Sequence, residues 1–151
     1  MKLAEALIAR ADLQKKIANI RSRMEQNVKV QEGEKPAEDI ADLVKAFNGM
    51  ADELKTLVKK INLTNGATKL SEGSLTDAIA DRDSINTKIN AYRSLYNAAV
   101  IRQERFSRSE IKYVRCIDMS TLQENIDFLS KQYRELDTRI QAANWTTDLA
   151  E

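Results

Sequence analysis

The sequence predicts an all-α protein of two antiparallel helical hairpins, four long helices in coiled-coil-like packing. Three observations carry this. First, Ile40, Leu43, Phe47, Met50, Leu54, Leu57 and Ile61 are apolar at alternating steps of three and four. That spacing lays one apolar seam along a helix, which other helices must cover. Second, three more segments carry the same alternation. Third, the 151 residues include only four glycines and one proline, with 42% hydrophobic and 31% charged residues, the profile of a helical chain.

Helix 1 is expected over about Lys2 to Gln26, with the seam Leu3, Ala6, Arg10, Leu13, Ile17, Ile20, Met24. Val28 and Val30 then alternate with polar residues and suggest a short strand. Gly33 and Pro36 break the helix, and Pro36 suits the first turn of the next one. Helix 2 is expected from about Ala37 to Leu63. Gly49 inside it suggests close approach of another helix. Thr64 to Gly73 reads as a polar connection with Asn65-Gly66 as its turn. Helix 3 opens at Ser74 or Thr76 and can run to about Gln103, with the seam Leu75, Ala78, Arg82, Ile85, Ile89, Tyr92, Tyr96, Ala99. Phe106 to Met119 changes character: Ile111 to Ile117 within it is β-branched and aromatic and predicts one or two short strands, with Val28 to Val30 as a pairing partner. Helix 4 follows Ser120 as its cap, with the seam Leu122, Ile126, Leu129, Tyr133, Leu136, Ile140, Ala143. A single bundle domain over residues 1–151 is the expectation.

An internal duplication is legible. Arg10 and Arg82 both stand where a core wants leucine, 82 − 10 = 72 apart. At that offset Ala6 meets Ala78, Leu13 meets Ile85, Ile17 meets Ile89, and Lys16, Arg21 and Ser22 meet Lys88, Arg93 and Ser94. At 140 − 61 = 79, Leu43 meets Leu122, Leu57 meets Leu136, and Asn65, Thr68 and Leu70 meet Asn144, Thr147 and Leu149. Repeat 1 spans about residues 2–70 and repeat 2 about 74–149. The second connector is seven residues longer (79 − 72). The repeat predicts two hairpins related by approximate two-fold symmetry.

Chemistry is thin. With no histidine, the commonest general base and metal ligand are gone. One cysteine, Cys116, forms no intramolecular disulfide and no thiolate zinc site, and it reads as an inert, partly buried thiol. Glu32, Glu34, Glu38 and Asp39 lack calcium-loop spacing. The expectation is a non-enzyme without cofactor or metal. Net charge of +1 gives no global pull toward nucleic acid or membrane.

Two groups stand out. Arg10 and Arg82 need partners if buried; Asp52 or Glu53 suit Arg10, and Asp137 suits Arg82. They read as a register-setting polar layer or as stems reaching water, with an anion site as the alternative. Arg102, Arg105, Arg108, Lys112 and Arg115 form a basic patch with Phe106 and Tyr113 between them. That composition can bind nucleic acid, though Glu104, Glu110 and Asp118 dilute it, so a solvated loop or subunit contact leads. Trp145 is expected to dock against the body or a neighbouring subunit. Glu5, Arg10 and Asp12 interrupt any signal-like run, and no stretch reaches the ~18 apolar residues of a spanning helix. A cytoplasmic protein is expected.

Lys2-Leu3-Ala4-Glu5-Ala6-Leu7, Arg10-Ala11-Asp12-Leu13-Gln14, Val30-Gln31-Glu32-Gly33-Glu34, Phe106-Ser107-Arg108-Ser109-Glu110-Ile111-Lys112, Leu136-Asp137-Thr138-Arg139-Ile140-Gln141 and Asn144-Trp145-Thr146-Thr147 resemble a septicolysin-like family of small bacterial proteins. The resemblance spans nearly the whole chain. It implies a helical, oligomeric bacterial protein, carries no catalytic residues over, and by its name points to a cytolysin. The leading expectation is a self-assembling structural or interaction module and a homo-oligomer. A membrane-active pore former and an anion or nucleic-acid binder are the alternatives.

Overall fold

The computed structural model describes residues 1–101 and 111–151. Its elements are α1 (Leu3–Asn27), α2 (Ile40–Ala67), β1 (Lys69–Leu70), β2 (Gly73–Ser74), α3 (Leu75–Ala99) and α4 (Met119–Thr146). The chain forms two compact units, one of Met1–Leu75 with Gln141–Glu151 and one of Thr76–Ile140. The fold is all-α, with one two-stranded antiparallel sheet at a connector.

In the first unit α1 packs on α2. Every seam residue of both helices is buried or half-buried, as the alternation of three and four requires. Leu3, Ala6, Leu13, Ile20, Leu43 and Ile61 are fully buried. Phe47, Met50, Leu54 and Leu57, midway along α2, are only half-buried. In the second unit the α3 and α4 seams follow the same rule, with Ala78, Ile89, Leu122, Ile126 and Ile140 buried.

The repeat is visible element by element. α1 and α3 each have 25 residues and start 75 − 3 = 72 apart. α2 and α4 each have 28 and start 119 − 40 = 79 apart. The side chains with almost no exposure among the large residues are Leu3, Leu75, Ile61 and Ile140, two matched pairs at those offsets. The helix caps match too. The Asp39 side chain accepts from the N–H groups of Ala41 (2.7 Å) and Asp42 (3.4 Å). Asp118, 79 positions on, accepts from Ser120 (3.2 Å) and Thr121 (3.3 Å). These carboxylates satisfy orphan donors and complement the positive helix ends.

The first unit contains two junctions of one design. Leu75 N donates to Thr68 O at 2.8 Å, and β1 pairs Lys69 with Ser74 and Leu70 with Gly73. At the corresponding positions Leu3 N donates to Thr147 O at 2.9 Å, Lys2 bridges Asp148, and Leu149 N donates to Met1 O at 2.9 Å. The tail of each repeat is thus stitched to the opening of a helix. Lys2 Nζ adds an ion pair to Asp148 at 2.8 Å, and Ala150 N donates to the buried Thr64 hydroxyl at 2.9 Å.

Several local expectations are corrected. Val28 and Val30 are exposed and in no strand, because Gly33 (φ 86°) turns the chain and Glu34 N closes on Gln31 O at 3.0 Å. Ile111 to Ile117 carries no strand either; its expected neighbours 106–110 lie outside the described residues. The strands sit instead at 69–74, where a polar connection was expected. α2 runs through Asn65-Gly66, so that pair makes no turn. α2 begins at Ile40, not Ala37, because Asp39 caps it and leaves Pro36 outside. Asp118, not Ser120, caps α4. Gly49 marks no close approach: a Cβ there would meet nothing within 4 Å. Its counterpart at offset 79, Phe128, likewise faces water, 61% exposed. Gly66 and Trp145 form a second such outward pair, which explains why Trp145 is 56% exposed rather than docked within this chain.

Candidate functional site

The two seam arginines occupy matched positions in different surroundings. Arg82, on α3, keeps a side chain only 23% exposed. Its Nη1 donates to Asp137 Oδ1 on α4 at 3.0 Å, and its Nε and Nη2 donate to Asp83 Oδ1 at 3.2 and 3.0 Å. Burial opposes its charge, but the hydrogen bonds and charges of Asp83 and Asp137 outweigh that and raise its pKa above the ordinary arginine value. The cluster is a half-buried charged layer inside the α3–α4 hairpin, its donors committed to protein carboxylates.

Arg10 differs. It is half-buried, and its Nε is buried with no hydrogen-bond partner. Neither Asp52 nor Glu53 forms an ion pair with it among the described residues; Asp52 accepts from Lys55 Nζ at 2.6 Å, three residues along α2. The α2 residue 137 − 79 = 58 is Val58, and the α1 residue 83 − 72 = 11 is Ala11. Both acids that hold Arg82 are therefore missing from the first repeat.

The first repeat has its own polar lock, at its connector. Arg23 Nε donates to Glu38 Oε2 at 2.9 Å, and Arg23 Nη2 donates to Glu38 Oε1. Buried Asn27 donates from Nδ2 to Arg23 O at 2.8 Å and accepts at Oδ1 from Glu38 N at 3.0 Å. The hydrogen bond from Arg23 holds the Glu38 carboxyl below its ordinary range, and Glu38 raises Arg23 in turn. The corresponding residues in the second repeat are Leu95, Ala99 and Ile117, which form no such lock.

Of the expected basic patch, Arg102, Arg105 and Arg108 lie outside the described residues. Arg115 is no free phosphate contact: its Nε donates to Ala99 O at 2.9 Å, the carbonyl of the last α3 residue. A cation there complements the negative helix end. Lys112 is exposed, flanked by exposed Ile111 and Tyr113. Cys116 is exposed, not partly buried.

Grooves are open and mixed in character. One of about 420 Å³ is lined by Arg93, Tyr96, Gln123, Ile126, Ser130 and Arg134; another of about 430 Å³ by Asp81, Lys88, Glu135 and Arg139 among others. Among the described residues no three of His, Cys, Asp and Glu converge as a metal site. No described helix is long and apolar enough to cross a membrane.

Sequence reasoning named Arg82 with Asp137 from seam position and facing helix. It missed Asp83, an adjacent residue that reaches around the helix, and the Arg23–Glu38–Asn27 lock. The signal available was three polar groups bracketing a connector.

A solved structure described as a functionally unknown conserved protein from Corynebacterium diphtheriae is similar along the whole chain. It is 38% identical, covers 99% of each chain, and has a TM-score of 0.93. No curated protein matches. A family model described as "Family of unknown function (DUF6847)" matches residues 10–149. That span takes in most of both repeats and both aspartate caps, and the chain belongs to this family of unknown function.

Proposed function

We propose that this protein is a non-enzymatic, self-assembling interaction module working in the cytoplasm. The supporting observation is the incomplete cover of its seams. Leu43 and Ile61, near the ends of α2, are fully buried, whereas Phe47, Met50, Leu54 and Leu57 between them stay half-exposed. Leu95 and Phe128 add exposed apolar surface on α3 and α4. Burying such side chains is favourable by about 25 cal/mol per Å², and a second copy supplies a matching surface. The septicolysin-like resemblance enters this reading as kinship with oligomeric bacterial proteins, without lytic activity. Light scattering coupled to size exclusion tests it: the expected mass is two or more chains, and a strict monomer at all concentrations overturns it.

One observation favours a second reading, anion binding at Arg10, whose Nε lies buried without a partner. Sulfate would then raise the melting temperature of the native protein and not of Arg10→Leu. Equal shifts in both remove this reading.

A further inference from the structure

The two junctions of the first unit share their hydrogen bonds, yet only one has a covalent turn between its strands. That turn is Ser71-Glu72, linking β1 to β2. Ser71 holds φ at 55°, a left-handed conformation that a residue with a Cβ adopts at a cost. Short hinge turns under strain invite exchange of elements between copies. Opening this turn lets β1 and β2 run on as one extended segment and relieves Ser71.

The bonds that close the two junctions are compatible with exchange. The β1–β2 pairing, the Leu75 N to Thr68 O bond, the Leu3 N to Thr147 O bond and the Lys2–Asp148 pair are all non-covalent. Each forms equally well when its two halves come from different chains. The clasp of Met1–Leu3 with Thr147–Leu149 already shows that this geometry stands without a two-residue turn joining its strands.

We propose that Ser71-Glu72 is a swap hinge. Residues 1–70 of one copy close on residues 73–151 of a second, and the reciprocal halves close likewise. Leu75, fully buried in the first unit, then seats in the partner's α1–α2 hairpin in place of its own. The partner is a second copy of this chain. The inference rests on the self-association reading and names the route by which it happens.

Lys69 and Ser74 face each other across the hinge strands, so Lys69→Cys with Ser74→Cys places two thiols within disulfide reach. Cys116→Ser removes the competing exposed thiol. After oxidation and size separation, non-reducing electrophoresis of the oligomer fraction is expected to show covalently joined chains. An oligomer carrying only intrachain disulfides overturns the swap and leaves self-association standing. Monomer alone at every concentration overturns both. Ser71→Gly, which leaves every side chain of the junction strands in place, is the second arm. It should lower the dimer-to-monomer ratio about fivefold per hinge by relieving the closed turn. An unchanged or increased ratio overturns the hinge.

Discussion

The α1–α2 hairpin and the α3–α4 hairpin agree in their apolar frame and disagree in their ion pairs. Helix lengths, aspartate caps, junction bonds and the most deeply buried side chains recur at offsets of 72 and 79. The polar groups do not. The first hairpin locks its connector with Arg23, Asn27 and Glu38 and leaves Arg10 Nε without a partner. The second replaces that lock with Leu95, Ala99 and Ile117 and gives Arg82 two carboxylates. Burial and capping define the shared architecture, because each such loss is felt throughout a small core. Half-exposed ion pairs contribute little each, so they can move from one end of a hairpin to the other.

The strongest way to break the comparison is at the core. Ile61→Ala and Ile140→Ala should each cost about 3 kcal/mol in urea unfolding. Both positions are 1% exposed, so losses differing by more than about 1 kcal/mol would show that the hairpins are not equivalent where burial says they are. Next comes Asp137→Ala, which leaves half-buried Arg82 with Asp83 alone. A loss of about 1 to 2 kcal/mol is expected, against no comparable loss for Glu53→Ala, since Glu53 forms no ion pair with Arg10 among the described residues. Asp39→Ala removes an N-cap, and a fall of about 1 kcal/mol is expected, with Asp118→Ala moving the same way.

Gly49→Ala sharpens the comparison from the other side. A Cβ meets open space there, so helix propensity alone should raise stability by about 0.5 to 1 kcal/mol. A decrease would mean that another surface approaches this face. The mildest effect is in acid. Glu38, Asp118 and Asp148 all have folded pKa values below the ordinary carboxylate range, set first by hydrogen bonds from Arg23, Thr121 and Lys2 respectively. A lowered folded pKa contributes stability that is present above the unfolded value, about 4, and lost as pH falls through the folded value. The melting temperature should decline below that range, and Glu38→Gln should flatten the decline.

Most of the frame was readable without coordinates, and the reasons are physical. A seam of side chains every 3.5 residues leaves little choice but a helix with a covered face, and all four seams lie where their spacing put them. The misplaced arginines marked the repeat. Connectors were harder. Val28 and Val30 alternate like a strand but have no strand beside them among the described residues, since pairing is a tertiary event. Asn65-Gly66 has turn chemistry, yet the helix continues to Ala67, where Thr64 and Thr68 carry it into the junction. Arg82 with Asp137 could be named because Arg82 sits on the α3 seam and Asp137 stands next to the seam residue Leu136 on the facing helix. The missing partner of Arg10 was legible only through the repeat: the offset of 79 places Val58 where the second repeat has Asp137, whereas Asp52 and Glu53 were named from the facing helix alone. Arg115 looked like part of a basic patch, while its carbonyl partner on Ala99 is a backbone atom that composition does not register.

The paired junctions also hold a built-in measurement. The amides of Leu3 and Leu75 donate to Thr147 and Thr68 at 2.9 and 2.8 Å, and both residues are fully buried. Chemically they are twins; they differ in that one is held to its acceptor through the six residues Lys69 to Ser74 and the other through the folded protein alone. Their hydrogen-exchange rates in one sample therefore compare the same bond with and without a short covalent link. The ratio reports the effective concentration that Ser71-Glu72 supplies, discounted by whatever strain Ser71 stores.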